Sequence, residues 1–260
     1  MVWTIQSREG YEMRSSSGIL AAAALGLGAV FVTPLAMAQD VGEVPDVAIS
    51  AKAWATPSKA GTKRNPRGMG VHATAKVTSE PGFERPIVTG LDLRVGPGLA
   101  WNTGTAAKCS KRVLDREGPK GCPKRSIVGH ATGTAYADTI ITHPDIVLIN
   151  GGPKRHLAYV TLYRPALVKE TVPIKVTRLT GKWRHRESFT VPETLRVVAG
   201  VPIQVSSIRM SVGGKSYAER YIASTSCPKG GWKYEATAHF LFATGQTSSE
   251  TIDGAIPCRP

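Results

Sequence analysis

Apolar and polar positions alternate along most of this chain. Leu91-Asp92-Leu93-Arg94-Val95 and Tyr234-Glu235-Ala236-Thr237-Ala238-His239-Phe240 repeat with a period of two, the sign of a strand with one buried face. Val47, Ile49, Ala51 and Ala53 share one parity of a first strand over residues 47–54. The same pattern predicts strands over 70–78, 86–95, 126–136, 146–150, 156–164, 174–184, 187–198, 203–212, 220–226 and 232–244. Gly96-Pro97-Gly98, Gly151-Gly152-Pro153, Gly213-Gly214 and Gly230-Gly231 punctuate these runs with turn chemistry. Past residue 38 no amphipathic helical pattern of useful length appears, although residues 113–117 can make one helical turn. Many short strands at near-regular spacing predict an all-β fold: an antiparallel β-sandwich, jelly-roll-like or divided into two small sandwiches.

The N-terminus reads differently. Residues 18–38 carry no charge, follow Arg14 and a run of serines, and close on Ala36-Met37-Ala38. A positive start, an apolar stretch and small residues at the −3 and −1 positions make residues 1–38 a signal peptide, with Met13 the natural start. The alternative is a retained membrane anchor, because the apolar stretch approaches the roughly 20 residues that span a bilayer. Cleavage leaves a chain from Gln39 to Pro260, secreted or cell-wall associated. Its roughly 220 residues suffice for a single β-rich domain. A subdivision near residues 165–173 is the other possibility, since each half would then own one pair of cysteines.

Export decides how Cys109, Cys122, Cys227 and Cys258 are read. An even number of cysteines in an exported chain forms disulfides, and three pairings are open. Sequence proximity selects Cys109–Cys122 and Cys227–Cys258, with loop-closure terms of about 3 and about 3.7 kcal/mol. The spacing does not suit zinc, since no Cys-x-x-Cys or His-x-x-x-His accompanies it.

Charge narrows the partners. The chain holds 33 Lys and Arg against 19 Asp and Glu, a net charge of +14. Arg8, Arg14, Glu9 and Glu12 cancel, so the part from Gln39 onward keeps all of it. Such an excess favours polyanions: wall polymer, acidic glycan, anionic lipid headgroups or nucleic acid, the last without any specific nucleic-acid motif in the sequence. The densest group lies around the first cysteine pair, where Lys108, Lys111, Arg112, Lys120, Lys124 and Arg125 form a candidate polyanion-binding loop. Clamping by the disulfide lowers the entropy lost on binding. Residues 182–186 and 59–67 are the next candidates. Trp183 alternates with Lys182 and Arg184 and is expected in the core, as are Trp54, Trp101 and Trp232.

Catalytic chemistry leaves no motif. There is no Gly-x-Ser-x-Gly, no cofactor motif, and the six histidines lack the spacing of a common metal site. Asp92, Glu219 and Glu235 are nominal carboxylates for a polysaccharide hydrolase or lyase, the alternative to a non-catalytic binding domain.

The segment Lys108-Cys109-Ser110-Lys111-Arg112, closing on Cys122-Pro123-Lys124-Arg125-Ser126-Ile127-Val128-Gly129, resembles uncharacterised secreted proteins of high-GC Gram-positive bacteria. The later Cys227-Pro228-Lys229-Gly230-Gly231-Trp232 matches the second half of the same pattern. The resemblance covers under a third of the chain after the signal segment and implies secretion, two local disulfides and a β-rich fold, with no activity attached.

Overall fold

The computed structural model describes residues 44–80 and 84–260. The signal segment expected over residues 1–38 lies outside the described residues. Residues Glu43–Pro260 form one compact unit. It begins with strands β1 (Val47–Thr56), β2 (Arg67–Ser79), β3 (Ile87–Val95) and the short β4 (Leu99–Trp101). Helix α1 (Lys111–Glu117) leads to β5 (Ile127–Ala137), β6 (Ile140–Thr142), β7 (Asp145–Asn150), β8 (Arg155–Leu162), β9 (Val168–Arg178) and β10 (His185–Thr190). A single-turn helix α2 (Glu193–Arg196) precedes β11 (Val197–Val198), β12 (Val201–Gly213), β13 (Ile222–Ser224), β14 (Trp232–Leu241) and β15 (Thr247–Ile256).

The architecture is all-β and antiparallel, with disulfides at Cys109–Cys122 and Cys227–Cys258. One continuous ladder runs β15-β14-β3-β10-β9-β8-β7-β5-β12-β2, and β1 pairs with β2. The sheet folds over on itself. Its two terminal strands, β1 and β15, lie side by side without a shared ladder, and β3 approaches β12 across the interior. A sandwich-like pair of layers results, joined through the strands at the fold.

Register makes this possible, because one parity faces inward all round the curl. Val71 lies opposite Val212, Leu93 opposite Ala236, and Ala158 opposite Val172, and these inward positions feed two apolar clusters. One gathers Met69, Val95, Tyr221, Trp232 and Ile256; the other gathers Ala135, Leu162, Val172, Leu195 and Ile203. A third cluster lies on the outer face. Ile149 and Leu157, of the opposite parity, are covered there by Leu114 of α1.

The predicted strands match the observed ones closely in most places; one is shifted, one stops early, and the short β4 and β6 and the longer β15 lie outside the predicted runs. The strand expected over 174–184 is β9, which starts and ends six residues earlier. Gly181, at φ 85, belongs to the turn that follows it. Pro173 is tolerated inside β9 because β10 pairs only with Lys175–Arg178, leaving no partner for the missing N–H. The strand expected over 187–198 stops at Thr190, where Pro192 caps α2. β15 was not foreseen, since Thr247-Ser248-Ser249-Glu250 hides its alternation.

Candidate functional site: the basic end of the sheet

An antiparallel sheet sends successive connections to opposite ends. Here residues 57–66, 96–126, 151–154, 179–184, 214–231 and 257–260 gather at one end. Residues 44–46, 80, 84–86, 138–144, 163–167, 191–200 and 242–246 gather at the other. The first group carries 17 Lys and Arg against three Asp and Glu; the second carries three against five. Nearly the whole charge excess of the chain therefore sits at one end. The three basic segments singled out from the sequence as separate candidates, 59–67, 108–125 and 182–186, come together there.

The longest of these connections is built as a rigid cap. The buried Asn150 side chain donates to the Thr103, Ala106 and Ala107 carbonyls, which fixes the run into Cys109. Cys109 N–H then donates to the Asn150 carbonyl, and the Cys109–Cys122 bond closes the loop. Ser110 caps α1 by accepting from the Val113 N–H at 3.3 Å. Leu114 is fully buried against Ile149 and Leu157, so the helix is held flat on the sheet. Gly118, at φ 67, packs on the Tyr159 ring, where an added Cβ would lie 3.2 Å from the hydroxyl. The loop is a cap on the outer face, not a projecting finger.

The cap sorts its cations. Lys111 Nζ meets Asp115 Oδ2 at 2.7 Å, and Arg116 meets Glu117. Burial raises the Asp115 carboxyl, but hydrogen bonding and charge from Lys111 outweigh it and hold the group below its ordinary value. Lys108, Arg112, Lys120, Lys124 and Arg125 are exposed and form no ion pair with a described carboxylate. Lys111 is thus the one residue of the predicted set that is already engaged. Beside the cap, Arg155 lies directly opposite Lys175 on the outward parity, and both are exposed. Like charges facing each other across a ladder are destabilising, and no described carboxylate relieves this pair.

The neighbouring connections interlock. Ala60 N–H donates to the Arg259 carbonyl, Gly61 N–H to Ser224 Oγ, and Asn102 Nδ2 to the Arg220 carbonyl. Cys227–Cys258 ties the 214–231 segment to the C-terminal tail. Trp101 rests on His185 with centroids 5.1 Å apart. Burial lowers His185 below the usual imidazole range; Glu187 opposes the shift, and Arg178 and Arg184 reinforce it.

Two aromatic expectations need correction. Trp183 is not a core residue; it is half-buried in the turn after β9, with Lys182 Nζ 4.7 Å from its ring centre. Trp54 is 38 % exposed on the outward parity of β1, stacked on His72. Trp232 is buried as expected, because its inward position and its N–H bond to the Ser226 carbonyl satisfy both ends of the indole.

Of the nominal carboxylates, Asp92 and Glu235 are diagonal neighbours on the outward face of β3 and β14 but are each already engaged, and Glu219 lies apart from them. Asp92 is held by Arg186 and His239, Glu235 by Arg94, and Glu219 sits in an exposed loop. Among the described residues no three His, Cys, Asp or Glu side chains gather to hold a metal. Sequence reasoning missed one polar group inside the sheet. His156 Nδ1 contacts the Tyr221 hydroxyl, and His156 Nε2 lies 3.5 Å from Glu187 Oε1. Tyr221 and His156 are buried, which pushes the Tyr221 phenol upward, so this group braces the 214–231 segment from within. Its members come from three distant segments, and no local spacing announces them. No family model matches the chain and no curated protein matches it, so the reading of this end rests on its own geometry.

Proposed function

We propose that the protein is a non-catalytic extracytoplasmic binding domain, secreted or cell-wall associated, that docks the basic end of its sheet on an anionic polymer. A wall polymer of phosphate repeats and an acidic glycan both have the required chemistry. The segregation of charge carries this reading: 17 cationic side chains in the connections of one end, against three at the other. A field of one sign over one face steers a polyanion toward it and orients the protein on arrival. Two disulfides and the interlocked loops hold the cations in place, so little ordering entropy is lost on contact. Lipid headgroups fit this end less well, because its connections expose no large apolar side chain to enter a bilayer. The signal segment and the resemblance to secreted Gram-positive proteins support the location.

The exported protein, whose intact mass should correspond to a start at Gln39, should bind a polyol-phosphate wall polymer or a polyuronate at low salt. Affinity should fall steeply as the Debye length shrinks to about 8 Å at physiological ionic strength. Replacing Arg112, Lys120 and Lys124 together by Gln should weaken binding at least several-fold. Stability should stay within about 0.5 kcal/mol, since these side chains are exposed. Undetectable binding to either polymer at low salt, or binding indifferent to the triple substitution, would remove the reading.

A further inference from the structure

The end opposite the basic face carries a different surface. Of seven large apolar side chains exposed in the described residues, only Trp54 lies away from it. Three neighbouring hairpins hold the cluster: Val197 at the β11–β12 tip, Ile140 and Ile141 in the β5–β6 hairpin, and Tyr163 and Leu167 between β8 and β9. Their strands β12, β5, β7, β8 and β9 are consecutive in the sheet, so the tips stand in a row. Tyr163 and Leu167 are each 60 % exposed and Ile141 50 %.

Backbone geometry marks the row independently. The tip Val197-Val198-Ala199-Gly200-Val201 contains no polar side chain. Its turn requires left-handed backbone at both central residues, with Ala199 at φ 52 and Gly200 at φ 79. That first position ordinarily takes Gly, Asn or Asp. Here the turn holds an alanine against its backbone preference and remains apolar throughout.

We propose that this row of tips is a lipid-docking rim, whose apolar side chains enter the interfacial layer of a bilayer. Three features select lipid over a protein partner. The apolar side chains stand on separate tips and not on one continuous face, and a fluid hydrocarbon layer needs no shaped counterpart. Tyr163 beside Arg164 is the aromatic–cation pairing favoured where hydrocarbon meets headgroup. The chain also enters β1 at this end, and in the sequence only residues 39–46 separate β1 from the apolar stretch 18–38. Eight residues reach at most about 28 Å. Before cleavage, a membrane held by that stretch is therefore tethered within that length of the start of β1. The end's three cations against five acids leave its lipid contact without a strong charge term.

The test separates this inference from polymer binding. The exported protein is floated with phosphatidylcholine vesicles, which carry no net charge, at 1 M salt, where the Debye length is about 3 Å. It should co-float, and Ile140→Ser with Ile141→Ser and Leu167→Ser should lower the vesicle-bound fraction roughly tenfold or more. The same variant should bind anionic polymer as the parent does at low salt, which confirms that it is folded. Absence of parent protein from the vesicle fraction overturns the inference, as does co-flotation that the triple variant retains. So does a parent that is dimeric by sedimentation velocity and becomes monomeric in the variant, because the rim would then join two copies.

Discussion

The basic end and the apolar rim are made by the same strands, but their connections are constructed on different principles. At the basic end the chain makes its long excursions, residues 96–126 and 214–231, and ties them down with both disulfides, α1 and hydrogen bonds between distant segments. At the rim the connections are mostly short hairpins that expose their tips. Positioning many like charges needs rigidity, because a loose loop would relieve repulsion by splaying apart. Entering a fluid layer needs only exposed apolar tips. The comparison shows how an antiparallel sheet separates two surface chemistries: each alternate connection reaches the same end, so a loop's composition assigns it to a face.

The largest expected effect tests the difference in construction. Leu114 is fully buried under the cap, whereas Leu167 is 60 % exposed at the rim. Leu114→Ala should lower unfolding free energy by roughly 2–5 kcal/mol, the range for a buried leucine that leaves a cavity. Leu167→Ala should change it by no more than about 0.5 kcal/mol. Urea denaturation of both variants measures the contrast. Equal losses would mean that the cap is not held by its core contact.

A smaller effect comes from exchanging alanine and glycine between the ends. Ala199 at the rim and Gly118 in the cap both have positive φ, 52 and 67. Ala199→Gly should stabilise by about 0.5–1 kcal/mol, the left-handed strain relieved less the extra chain entropy of glycine. Gly118→Ala should destabilise by about 1–3 kcal/mol, because its φ and ψ of 67 and −167 suit glycine alone and the new Cβ meets Tyr159. Thermal melts should move in opposite directions. Loss of stability in Ala199→Gly would show that the methyl group packs within the folded chain, and would weaken the case for an outward-facing tip.

Much of the fold can be read in the residues. Alternation in 91–95 and 234–240 located β3 and β14, which are neighbours in the sheet, and sequence proximity selected both disulfides. The uninterrupted run Ile146-Val147-Leu148-Ile149 carried a signal that alternation alone overlooks: a strand apolar on both faces needs a cover on each, and α1 supplies the outer one. The site was legible only in pieces. Three basic segments stood out, but their convergence depends on the parity of the connections, and so on a correct count of strands. The strand expected over 174–184 ran through Lys182 and Arg184, so that segment read as strand and not as a connection at this end. The rim was harder to see, since Val197 reads as ordinary strand interior and Ile140-Ile141 falls between two predicted strands, and only the hairpins show these side chains to be exposed.

The smallest effect is expected at a single carboxylate in the cap. Asp115 engages Lys111 one helical turn away and so withdraws one cation from the basic end. Its folded-state pKa is lowered, so the pair contributes stability above the unfolded-state carboxylate value, and that contribution is lost as pH falls through the folded value. Both side chains are about two-fifths exposed, which keeps the contribution small and screened by salt. Asp115→Asn should therefore leave the neutral-pH melt nearly unchanged and remove a slight acid sensitivity below about pH 4. Binding should move the other way. With Lys111 released, the variant should hold anionic polymer a few-fold more tightly at low salt, with a logarithmic salt dependence steeper by about one charge. Arg112, Lys120 and Lys124 lie in the same cap, so a gain from Asp115→Asn and a loss from their triple substitution would place the polymer on the helix itself. An unchanged affinity would put the contact outside the cap, with the exposed Arg155–Lys175 pair of β8 and β9 the next cations to substitute.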